Sequence, residues 1–78
     1  MIMAAFRPRQ VDLLSWPAIH EAELRAEAAE AARASAHRRW RLAPHGEIEN
    51  RLKAFKEASQ AALAAEVALQ QLREDLGA

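Results

Sequence analysis

The chain has 78 residues, with eleven basic and eleven acidic side chains and no cysteine. That length limits it to one small domain, and the missing thiols exclude disulfides and thiolate metal sites. Zero formal net charge argues against a generic nucleic-acid or membrane binder, and two glycines among many alanines strongly favour helix. A single core of this size rarely supplies more than roughly 3–5 kcal/mol without a staple or a partner, so an oligomer is expected.

Residues 1–14 read as an N-terminal apolar arm or short helix. Met1, Ile2, Met3 and Phe6 precede Arg7-Pro8-Arg9, and Val11, Leu13 and Leu14 follow. Such side chains avoid water, so the arm either folds back as a further core layer or docks on another chain. The early Arg-Pro-Arg break is unlike a secretory leader, and no run approaches the ~18–20 apolar residues that span a bilayer. A cytoplasmic protein, in a bacterial host cytosol if phage-encoded, is the expectation.

Ser15 reads as an N-cap, with Pro17 tolerated in the first turn. The helix it opens carries a heptad seam of Ile19, Ala22, Ala26, Ala29, Arg33, Ala36 and Trp40. Glu21 and Arg25 lie one turn apart on a shared face. Pro44 disfavours helical geometry at Ala43, which predicts a stop near Leu42. Arg38, Arg39 and Arg41 there meet the negative end of the helix dipole. The second helix is expected from about Pro44 to Leu76, with Gly77 as a left-handed cap. Its seam is Ile48, Leu52, Phe55, Ser59, Ala62, Ala65 or Glu66, Leu69, Leu72 and Leu76.

Folding the chain at a Pro44–Gly46 corner gives an all-α, antiparallel helical hairpin spanning residues 15–78. The seams then pair Trp40 with Ile48, Ala36 with Leu52, Ala26 with Ala62, Ile19 with Leu69 and Trp16 with Leu72. Large residues fall at both ends and small ones in the middle, as close helix packing requires. Leu63 and Val67 lie off this line and predict a second contact, with the arm or with another subunit. The candidate partner-binding set is therefore Phe6, Val11, Leu13, Leu14, Trp16, Leu63 and Val67.

Charge is segregated. Residues 33–56 carry seven basic side chains against Glu47 and Glu49, while residues 20–32 and 57–78 are mainly acidic. Arg38, Arg39, Arg41, Arg51 and Lys53 form a basic tip on an acidic shaft. Arginine beside Trp40 could grip phosphate and stack on a base. The competing reading has the arginines complementing the helix end while Trp40 packs on Ile48, and the two glutamates oppose a continuous phosphate backbone. Nucleic acid is therefore disfavoured as a partner. His20, His37 and His45 lack companions at metal-ligand spacing, Ser15, Ser35 and Ser59 lack a base, and there is no glycine-rich phosphate loop. No enzyme activity, cofactor or metal is expected.

The run Trp40-Arg41-Leu42-Ala43-Pro44-His45-Gly46-Glu47, with Arg51 and an alanine-rich helix after it, resembles the small tail assembly chaperones of tailed bacteriophages, the minor tail protein T type. Leu42, Pro44, Gly46, Glu47 and Arg51 match that corner; Ala43 replaces its acid and His45 its aromatic. The resemblance covers residues 36–66. It implies a non-enzymatic assembly factor that binds a long helical tape measure protein and recruits tube subunits. The alternative is a small phage-type inhibitor of a host defence, docked on a nucleoprotein complex.

Overall fold

The computed structural model describes the backbone of residues 2–77 and the side chains of residues 16–77. Two helices, α1 (Ile2–Arg41) and α2 (Ile48–Asp75), pack against each other through a short 3-10 turn at His45–Glu47. The result is an antiparallel hairpin drawn out into a rod of 65 × 14 × 13 Å.

The first helix begins well before the expected cap. α1 is continuous from Ile2, so Ser15 is interior and the backbone of residues 2–14 does not double back. Pro8 and Pro17 each remove one donor from the ladder, yet the surrounding alanine, leucine and arginine carry the helix through. With 40 residues against 28, α1 outruns α2 by twelve, about 18 Å at 1.5 Å per residue.

The α1 seam holds throughout. Ile19 and Ala26 are buried, and Ala22, Ala29, Arg33, Ala36 and Trp40 are half-buried. On α2, Ala62 and Leu69 are buried, and Leu52, Phe55, Ser59, Ala65, Leu72 and Leu76 are half-buried. Glu66 is exposed, which gives its seam position to Ala65. Ile19, Ala26 and Leu69 form one cluster, with Ala22, Ala65, Leu72 and Leu76 against it.

The pairing at the tip differs from expectation. Trp40 stacks on Phe55, with ring centroids 5.7 Å apart and planes 10° off parallel, while Ile48 is 41% exposed. The cause is the corner. Pro44 is not in the second helix; it is extended, at φ −63° and ψ 157°, and the 3-10 turn takes up three more residues before α2 starts at Ile48. The fold centre therefore lies past Pro44, and near the tip Trp40 faces a later part of α2 than a fold at the proline would give, while at the far end Ile19 and Leu69, expected to pair, do share one cluster.

Both ends close as their chemistry requires. The Leu42 N–H donates to the Arg38 carbonyl at 3.1 Å, and the Ala43 N–H donates to Trp40 at 3.1 Å. At the far end Gly77 has φ +72°, its N–H donating to the Glu74 carbonyl at 3.3 Å, and Leu76 donates to Leu72. This is the left-handed glycine cap expected from the sequence.

Candidate interaction surfaces

Phe55 turns the tip into a structural cluster. Its ring lies 4.9 Å from His37 and 5.7 Å from Trp40, and His37 and Trp40 are 5.8 Å apart. One face of the indole is thus occupied within the hairpin. Arg51 also works internally. Its guanidinium pairs with Glu47 at 2.8 Å, while Nη1 donates to the Arg39 carbonyl at 3.2 Å. That carbonyl is in the last turn of α1, where the helix has no donor of its own to offer. Arg51 therefore ties the corner to α1 and differs in role from the other tip cations. Arg38, Arg39, Arg41 and Lys53 are exposed and form no ion pair among the described residues. Leu42, 79% exposed, lies beside Arg38 and Arg41 in a small surface depression.

The shaft is held by pairs of opposite charge. Glu21 and Arg25 meet at 3.4 Å, one turn apart as their spacing predicts. Arg33 binds Glu30 at 2.6 Å, and Arg73 on α2 reaches Glu23 on α1 at 2.7 Å. The hydrogen bond from Arg33 holds the Glu30 carboxyl below its ordinary range, and the same bond raises the guanidinium. Local spacing reveals the first of these pairs. The Arg73–Glu23 bond joins residues fifty positions apart and has no local signature.

An open groove of about 700 Å³ runs between the helices beside Ala26 and Leu69. Small α1 residues, Ala31 and Ala34, leave it shallowly filled, and Glu23, Glu27, Glu30 and Glu66 line it with Arg73. No group of three or more His, Asp or Glu suited to a metal ion occurs among the described residues. No helix among them is long and apolar enough to cross a membrane.

Two of the expected partner-binding sites lie on the outside. Trp16 is 60% exposed and stacks on His20, with centroids 6.3 Å apart. Leu63 and Val67 are 65% and 57% exposed, on the side of α2 opposite the buried Ala62–Ala65–Leu69 line. A shallow depression runs along them between Gln60 and Gln71. Trp16 is on α1, whereas Leu63 and Val67 are on α2. The side chains of Phe6, Val11, Leu13 and Leu14 lie outside the described residues. Comparison with protein families, curated proteins and solved structures gives no match to this chain.

Proposed function

We propose that this protein is a non-enzymatic assembly factor that works by helix-to-helix contact, in the manner of a phage tail assembly chaperone. One observation carries the reading. Among the described residues, only Ile19 and Leu69 of the large apolar side chains are buried, whereas Trp16, Leu24, Leu42, Ile48, Leu63 and Val67 are exposed. A rod that leaves more of its large apolar side chains exposed than buried is suited to bind other helices along its length. The corner supports the same reading. Glu47 and Arg51, which match the tail chaperone pattern, are paired there at 2.8 Å.

The Trp16 end of α1 is the surface assigned to the helical partner. Replacing Leu13, Leu14 and Trp16 with alanine is expected to weaken capture of a tape-measure-like helical protein more than replacing Arg38, Arg39 and Arg41. Apolar anchors dominate interface energy, while exposed charges act mainly on association rate and salt sensitivity. The assay is a pull-down from the native host with both triple variants at two salt concentrations. Loss of binding with the arginine variant alone, and recovery of DNA or RNA, would overturn the assembly reading.

A further inference from the structure

We infer that the outer face of α2 is a self-association surface on which a second copy of this chain docks antiparallel, Leu63 of each copy against Val67 of the other. The assignment is independent of what the Trp16 end of α1 binds.

The face is palindromic in spacing and chemistry. Lys56, Gln60, Leu63, Val67, Gln70 and Glu74 follow one another at steps of four, three, four, three and four, the alternation that keeps side chains on one helix stripe. All six are exposed in the hairpin. Reversing the stripe about a two-fold axis between Leu63 and Val67 sets leucine opposite valine, Gln60 opposite Gln70, and Lys56 opposite Glu74. A two-fold interface must be complementary to itself in this way, each residue meeting its counterpart twice. Lys56 and Glu74 have no ion pair within the hairpin among the described residues, so both charges are available. Lys53, one turn further on, falls opposite the C-terminal end of the other α2, where exposed carbonyls favour a cation.

Charge also selects the direction. A parallel pairing would lay Lys53 and Lys56 over their own copies at one end, and Glu74 over its own copy at the other. Moving the antiparallel register by one residue would bring Glu57 opposite Glu74. The register centred on Leu63 and Val67 joins apolar to apolar, amide to amide and cation to anion without setting Glu57 against Glu74.

The elongated hairpin keeps enough surface in water to supply an interface. The chain exposes 6180 Å². A compact 8.7 kDa protein is expected to expose about 4,700 Å², and one partner's share of a standard interface is about 800 Å². The excess reflects the rod shape, and it is larger than one partner's share of a standard interface.

Sedimentation of the full chain across a concentration series tests the proposal. The mass should rise from 8.7 kDa toward twice that value. Leu63→Glu, a change at a position exposed in the hairpin, should weaken dimerisation by about a hundredfold or more while leaving the helical circular dichroism of the monomer intact. Lys56→Glu and Glu74→Lys should each weaken it by about tenfold at low salt, and the double swap should restore it. A chain that remains monomeric at every concentration overturns the proposal, as does a dimer indifferent to Leu63→Glu. A dimer sensitive to Leu63→Glu but unaffected by either charge reversal overturns the antiparallel register.

Discussion

Leucines six residues apart on α2 should respond unequally to the same truncation. Leu69 is 7% exposed and anchors the cluster with Ile19 and Ala26; Leu63 is 65% exposed. Cutting leucine to alanine removes the equivalent of three methylenes, roughly 2.4 kcal/mol of transfer free energy when the side chain is fully buried. At Leu69 nearly all of that is lost. The neighbouring open groove lets water and side chains relax into the space, so little cavity cost is added, and Leu69→Ala should destabilise by about 2–2.5 kcal/mol. At Leu63 only the buried 35% (100 − 65) is at stake, and Leu63→Ala should cost under ~1 kcal/mol. For a hairpin with a total near ~3–5 kcal/mol, the first change removes about half the stability and the second is tolerated. Urea denaturation followed by helical circular dichroism measures both, at a dilution that keeps the chain monomeric. Equal losses for the two variants would refute the assignment of Leu69 to the core and Leu63 to the outside.

Two further expectations concern the glycines and the charged shaft. Gly77→Ala should cost about 1–2 kcal/mol, because φ there is +72° and a Cβ strains that backbone even though nothing lies within 4 Å of it. Gly46→Ala should be neutral or slightly stabilising, since φ at Gly46 is not positive and its Cβ would meet open space; paired melts of the two variants check the contrast. Lowering pH should loosen the Glu30–Arg33 pair. Glu30 titrates below its unfolded value, so its contribution is present above the ordinary carboxylate range and is lost as pH falls through the folded value; Arg33, shifted upward, stays charged across the same window. Glu30→Gln should therefore shallow the fall in stability measured below about pH 4.3, and an unchanged acid limb would remove that pair from the account.

The two helices, the stop after Arg41 and the left-handed cap at Gly77 were legible in the sequence because each depends on near neighbours. Heptad spacing, a proline and a terminal glycine act over at most a turn or two. The same locality made the outer stripe of α2 visible through Leu63 and Val67. Its polar flanks, Lys56 and Glu74, were equally open to view, since their spacing continues the stripe, but a reading confined to apolar residues passes over them. Ser15 shows the weakness of local signals: a good capping residue followed by proline looks like a beginning, yet α1 continues through it.

What tertiary structure alone decided is the register and everything that follows from it. Whether Trp40 meets Ile48 or Phe55 depends on how many residues the corner consumes. Pro44 in an extended conformation, followed by a 3-10 turn, moves the fold centre along the chain. The Arg51–Arg39 and Arg73–Glu23 bonds exist only in that register, across separations of twelve and fifty residues. A seam of alanines fits a neighbouring helix at several offsets with nearly equal burial. The choice among them is made by the few large side chains and the geometry of the turn, and neither acts until the helices have met.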